Sequence, residues 1–202
     1  MKAVMPVAFP EILAWRKRSG ADQWDEMWEG VLHMPPMPIN EHQDFESDLE
    51  AYLREHWAKP LKAVVRHQIN LSLPDEEDWT KNYRIPDLLM MTAERYRHIN
   101  RGAYCGGPPN VVVEIHSPGD EAYDKLDFYA ELGVPEVWII NRDSKQPDLF
   151  LLKKGKYRKQ RATASGWFRS PETGFEMKAN GAGKLLIRKI GDESTQKELP
   201  EE

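Results

Sequence analysis

A chain of 202 residues, 40% hydrophobic and 30% charged, carries enough apolar material for one globular domain and is too short for two. The net charge of −5 argues against a generally basic nucleic-acid-binding protein, and the single Cys105 excludes an internal disulfide and fits a reducing compartment. No run approaches the roughly 18 apolar residues that span a bilayer, so a soluble cytoplasmic protein is expected.

The first residues read as a flexible lead, and Pro10–Lys17 as a short helix with Pro in its first turn. Trp24 to Met34 alternates weakly, with Trp28-Glu29-Gly30-Val31-Leu32 entering a sheet as a hairpin strand. Met34-Pro35-Pro36-Met37-Pro38 must be extended, because each Pro fixes its own backbone and restricts its predecessor. From Asn40 to Ala58 the period becomes helical, with Asn40 as a cap. Phe45, Leu49, Tyr52, Leu53, His56 and Trp57 share an arc that includes His42, and Glu46 lies at its edge. His42 and Glu46 therefore face the core or a site together, while Glu50 lies further round.

Leu61–Leu73 reads as one strand, followed by an acidic surface turn at Pro74–Asp78 that lacks the spacing of a calcium loop. Two short apolar runs come next, Arg84–Met91 and Pro108–Pro118, bounded by Pro, Gly or Asn and reading as buried strands. Each carries one acid, Asp87 and Glu114. Burying an unpaired carboxylate is costly, so two on neighbouring strands point to a shared cation or a shared proton, of which a divalent metal is the simpler. Between these runs, Arg95, Arg97 and Arg101 sit in an exposed excursion. After Ser117-Pro118-Gly119-Asp120 an amphipathic helix is expected over Glu121–Leu132, with Lys125 near its start and able to reach the acids. Pro135–Ile140 is the next strand, and strand, strand, helix, strand is the order of an α/β core.

Beyond Asn141, Leu149–Leu152 and Tyr157–Lys159 read as strands around a basic turn, with Trp167-Phe168 and Lys184–Ile187 as edge strands. Residues 1–190 form the expected single domain, and residues 191–202 an acidic tail expected to be disordered. Residues 1–140 hold 14 Lys and Arg against 24 Asp and Glu, residues 141–190 hold 13 against 4, and residues 191–202 hold 1 against 5. A basic segment beside acids that hold metal suits phosphate chemistry, and it equally suits a solvated hairpin. No repeat, P-loop, dinucleotide glycine pattern or paired-Cys metal motif is present.

Pro86-Asp87 followed by an acid on the next strand resembles the PD-(D/E)XK nuclease core. The longer string Pro86-Asp87, Gly107-Pro108-Pro109, Val113-Glu114-Ile115-His116-Ser117-Pro118, Asp124-Lys125, Tyr129 and Gly133–Trp138 resembles more closely the bacterial Uma-type restriction endonucleases. Met27–Pro36 followed by His42-Gln43 is similar to that family's amino-terminal block, so the likeness runs from about Trp24 to about Trp167. It implies a restriction-endonuclease-like α/β (α+β) fold, a central mixed β-sheet flanked by helices. It also implies an endonuclease acting on nucleic acid, with DNA as partner. His116 stands where the general motif has Lys, and Lys125 looks like the displaced equivalent.

The expected chemistry is phosphodiester hydrolysis with Mg²⁺ or Mn²⁺ held by Asp87, Glu114 and the main-chain carbonyl of Ile115. Lys125 would act on the attacking water or on developing charge, and His42 or Glu46 would hold a second ion or relay a proton. Three competitors stay open: a nucleic-acid-binding module without cleavage, an iron site in which His42 or His116 joins the two acids, and structural ion pairs with Lys125 and Arg84. A homodimer suits the cutting of two strands, and no nucleic-acid contact residue can be assigned.

Overall fold

Branched residues fill Val111–His116 and Glu136–Asn141, and these two strands pair in parallel at the centre of a six-stranded sheet in the computed structural model, which describes residues 3–5 and 10–201. From edge to edge the order is Lys156–Lys159, Pro147–Lys153, Glu136–Asn141, Val111–His116, Leu88–Met91 and Val64–His67, with every other pairing antiparallel. Strands buried on both faces need cover on both, which explains their nearly continuous apolar runs.

The period-2 alternation of the strands separates two cores. Leu88, Met90, Val111, Val113 and Ile115 pack against Phe45, Leu49 and Leu53 of the Asn40–Leu53 helix. On the other face Leu89, Met91, Val112 and Ile139 pack against Phe128, Tyr129 and Leu132 of the Leu126–Leu132 helix. The first helix begins at Asn40 with extended Ile39 as its cap, so Asn40 is the first helical residue and not the capping one. It runs on through a π-helical turn, Arg54–Ala58. The second helix is shorter than the sequence periodicity suggests, because residues 122–125 form turns and Lys125 becomes its amino-terminal cap residue.

A second sheet joins Ala3–Met5, Val31–Met34, Glu26–Trp28, Tyr83–Arg84, Leu71–Ser72 and Cys105–Gly106 in that order. Ala3–Met5, within the expected flexible lead, is thus a paired strand, and the other residues before Pro10 lie outside the described residues. Glu29 and Gly30, both at positive φ, close the hairpin between Glu26–Trp28 and Val31–Met34. The single strand expected over Leu61–Leu73 is two. Gln68 adopts φ 48°, and the chain passes there from Val64–His67 in the central sheet to Leu71–Ser72 in the second.

A third sheet, Phe168–Arg169, Phe175–Ala179, Leu185–Lys189 and Asp192–Leu199, is an antiparallel meander of its own, in which the expected edge strand at Lys184–Ile187 is an inner one. Its last strand corrects the expectation of a disordered tail. Asp192–Leu199 has few apolar side chains, but its backbone ladders onto Leu185–Lys189, Leu199 is fully buried, and Thr195 O accepts the Tyr52 hydroxyl at 3.0 Å. Backbone pairing is invisible to composition. Among the described residues no helix is long and apolar enough to cross a membrane.

Candidate active site

Ile85-Pro86-Asp87 carries the chain from the second sheet, which it leaves at Arg84, into the central sheet, which it enters at Leu88. Asp87 therefore precedes its strand, at the joint between the sheets. Leu88 pairs with Val113, and one step further along the ladder the Asp87 carboxylate takes the backbone's place: Oδ2 accepts the Ile115 N–H at 2.6 Å. Its other oxygen, Oδ1, lies 3.1 Å from His42 Nε2.

His42 and Glu46 are one turn apart on the Asn40–Leu53 helix and face the sheet together. His42 Nε2 is 3.7 Å from Glu46 Oε2, and one ligand atom from each of His42, Glu46 and Asp87 lies within 4.8 Å of the others. Glu46 Oε1 is buried and has no hydrogen-bond partner among the described residues, with His67 Nδ1 at 3.8 Å. Glu50 turns away and pairs with Arg54 at 2.6 Å.

Glu114 projects from the opposite face, 4% exposed, toward the Leu126–Leu132 helix. Lys125 Nζ sits 3.2 and 3.3 Å from its two oxygens, and Tyr129 donates its hydroxyl to Oε1. The same ammonium is 2.8 Å from Glu26 Oε1, a carboxylate that also accepts Ile85 N–H at 2.7 Å and Trp28 Nε1–H at 2.7 Å. Ile115 lines the cleft above these groups, with its N–H occupied by Asp87.

The charges do not balance. Glu26, Glu46, Asp87 and Glu114 share Lys125 and His42, with the more exposed His67 ring near Glu46 alone. Burial, joined by Asp87, pushes Glu46 up to about 8 although His42 opposes it, and Gln68 pulls the same way as His42 without completing a hydrogen bond to Oε1. Burial likewise lifts Glu114 to about 8 against the lowering effect of Lys125, with Asp87 and Glu26 adding to the rise. For His42, burial works against the cation, yet the Asp87 hydrogen bond and the Asp87, Glu46 and Glu114 charges together raise its pKa. Burial also opposes the Lys125 ammonium, but Glu114 and Glu26 outweigh it and raise its pKa well above the usual lysine value. Every shift favours the protonated form, as expected of a carboxylate cluster one cation short.

Glu26, His42, Asp87, Glu114 and Lys125, but not Glu46, line a cleft of ≈ 230 Å³ between the Pro35–Ile39 run and the Ser117–Asp120 turn. The profile of a family named Uma2, described as "Putative restriction endonuclease", matches residues 9–182. The chain belongs to the Uma2 family. A crystal structure described as a "putative nuclease belonging to DUF820" from Anabaena variabilis ATCC 29413 superposes with a TM-score of 0.56 at 15% identity, covering 73% of this chain and 81% of that one. The fold is therefore the restriction-endonuclease-like one, with its mixed central sheet between helices. No curated protein matches the chain.

Within this Uma2 fold His116 is not beside the acids. Its Nδ1 is 2.6 Å from Asp120 Oδ1 and its ring meets Tyr123 edge-on, while Lys125 holds the position next to Glu114. The His–carboxylate group found among the described residues has one histidine and two carboxylates, the reverse of the two-His, one-carboxylate iron set. Arg84 does not pair with Asp87. It lies over the Trp28 and Phe128 rings and donates to Met27 O and Asn82 Oδ1. Glu26 was missed in the sequence. The signal was present, an acid directly before Met27-Trp28 in the family block, but its partners are 59 and 99 positions away.

The raised carboxylates set a pH dependence. A carboxyl whose pKa is raised in the folded state binds its proton there after the unfolded chain has lost it, so stability is full below the ordinary carboxylate range and falls as pH rises toward about 8. Apo protein is expected to melt at lower temperature at pH 8 than at pH 5.5. A divalent ion held by these carboxylates would stabilise more over the same window, because it competes with those protons, and Mn²⁺ is the probe. Melting curves with and without Mn²⁺ check both slopes.

Proposed function

We propose that this chain is a metal-dependent endonuclease that hydrolyses phosphodiester bonds in DNA, working in the cytoplasm with Mg²⁺ or Mn²⁺. The observation that carries the reading is the position of Asp87, whose two oxygens link the His42–Glu46 side of the sheet to the Ile115–Glu114–Lys125 side, at the foot of an open cleft. A divalent ion suits this place because the donors are hard oxygens, the cluster is short of positive charge, and Glu46 Oε1 is buried without a donor. Asp87, Glu114, Glu46 and the main-chain carbonyl of Ile115 would hold it. The ion supplies positive charge against the phosphate oxygens and acidifies water.

The chain's own groups do the rest. Lys125, kept protonated by Glu114 and Glu26, places fixed positive charge where the phosphate becomes more negative. His42, poised by Asp87, takes or returns a proton at Nε2. Tyr129 and Glu26 hold Glu114 and Lys125 in place and do not touch substrate. Two copies of the chain would bring two sites to a duplex.

The test is incubation of the purified chain with DNA and RNA substrates in Mg²⁺, Mn²⁺ or EDTA. Cleavage with either ion and none in EDTA is expected. Binding of nucleic acid with no cleavage in any metal would instead make this an inactive binding module.

A further inference from the structure

The cleft has few of the groups that a duplex-reading groove needs. Proteins that follow a duplex do so through several lysines and arginines placed on successive phosphates. Here Glu26, Asp87, Glu114, Asp120 and Glu121 line the cleft, and opposite them stand Lys125, Arg142 and two histidines already paired with carboxylates, His33 with Glu121 and His42 with Asp87. Lys125 is 12% exposed and bound to two carboxylates. Arg142 stands at the rim, its N–H bonded to His116 O and its Nε to Asp143 at 2.8 Å.

The basic hairpin lies elsewhere. Leu151 pairs with Glu136 at the start of its strand, so the Lys153–Lys156 turn is at the opposite end of the sheet from Ile115 and Asn141. Further along the chain Arg169 and Arg188 are occupied by Glu176.

What the cleft does offer is a rigid apolar lip. In Pro35-Pro36-Met37-Pro38-Ile39 the three prolines fix the backbone, and Arg16 Nη2 ties the run down by donating to Pro35 O at 3.1 Å. Met37 is 50% and Ile39 45% exposed, although both line the cleft. The facing wall is held at a set distance, because His33, stacked on Trp28 at 4.0 Å, reaches across to Glu121 Oε2 at 2.9 Å. A cleft of ≈ 230 Å³ with one apolar wall, a single rim arginine and a carboxylate floor that a divalent ion would cover suits one base and one phosphate.

We infer that the cleft accepts a single unpaired nucleotide, its base against Met37 and Ile39 and its phosphate directed toward Asp87 and Glu114, with Arg142 at the rim. The inference rests on the nuclease reading and narrows its substrate to unpaired strands, meaning single strands, flaps and frayed ends. On a duplex the site acts only where the strands separate. A base packed on an apolar side chain is a sequence-tolerant contact, so little base preference is expected.

The experiment compares initial rates in Mn²⁺ on a single strand, a flapped duplex, a blunt duplex of the same sequence, and methyl p-nitrophenyl phosphate, a diester without a base. The variant is Met37→Ser/Ile39→Ser. Both side chains are exposed, and Ser at 39 occupies the cap position of the Asn40–Leu53 helix, where it offers a capping oxygen that Ile39 lacks, so folding is retained. Single strand and flap are expected to be cut at least about tenfold faster than blunt duplex, and the variant should raise KM for single strand by about tenfold, the worth of one base contact. Its rate on the baseless diester should fall by less than its rate on single strand. Equal cutting of blunt duplex, or an unchanged KM in the variant, overturns the inference and leaves the nuclease reading standing. No hydrolysis of any of the four substrates overturns the nuclease reading and the inference with it.

Discussion

Asp87→Asn is expected to lower kcat/KM for nucleic-acid cleavage by on the order of 10²–10³ while leaving the protein folded, since on the proposed reading it removes a charge at the reacting centre and little of the packing. Asn keeps the shape of the side chain, and its one remaining carbonyl oxygen can still accept the Ile115 N–H that Asp87 accepts at 2.6 Å. The amide nitrogen then faces His42 Nε2, which can stay neutral and accept from it. Loss of stability should be about 1 kcal/mol, that of one altered hydrogen bond. The charge has a wider reach. Asp87 helps to raise Glu46 and Glu114, so without it both carboxyls should ionise at lower pH, and the fall of stability with rising pH should be smaller and end at a lower pH. Calorimetric titration of Mn²⁺ into the variant should show binding lost or greatly weakened. If Mn²⁺ binds the variant as it binds the parent, the ion is held elsewhere and the site as described is wrong.

The sequence exposes Asp87 and Glu114 readily because each interrupts a short, otherwise apolar run, and a strand buried on both faces leaves an acid conspicuous. His42 and Glu46 were legible for a different reason, since positions i and i+4 on an amphipathic helix must face one way. What stayed hidden depends on contacts between distant segments. Glu26 lies in a weakly alternating stretch, and its value as a clamp for Lys125 appears only when the second sheet brings it against Ile85 and Lys125. The division of Leu61–Leu73 rests on one left-handed residue, Gln68, whose N–H reaches Asp87 O at 3.2 Å. Asp192–Leu199 carries almost no hydrophobic signal, because its pairing is through backbone. By composition the basic segment 141–190 suits either a phosphate surface or a solvated hairpin. With Lys159 on Asp148, and Arg169 and Arg188 on Glu176, part of its charge is neutralised within the fold.

Lys125→Met is expected to be the most destabilising single change at the site, by about 3–5 kcal/mol at pH 8, the cost of leaving buried carboxylates without their cation. The methionine stem fills the space of the lysine stem, so the loss is electrostatic and not a cavity. Glu114 and Glu26 both face the vacated position, 3.2 and 2.8 Å from where Nζ stood. With the lowering influence of Lys125 gone, the Glu114 pKa should climb further above about 8. A carboxyl raised in the folded state destabilises as pH increases through that range, so the deficit of the variant should shrink at pH 5.5, where Glu114 carries its proton, and widen toward pH 8.5. Adding Glu26→Gln should recover part of the loss by removing one buried charge, with the glutamine oxygen keeping the Ile85 N–H, less the cost of the amide nitrogen that then meets the Trp28 indole N–H. Neither effect should restore cleavage if Lys125 supplies charge to the reaction as well as to the fold. Chemical denaturation of the parent, the single and the double variant at the two pH values, with cleavage rates alongside, separates these roles: recovered stability with recovered activity would reduce Lys125 to a structural counter-ion.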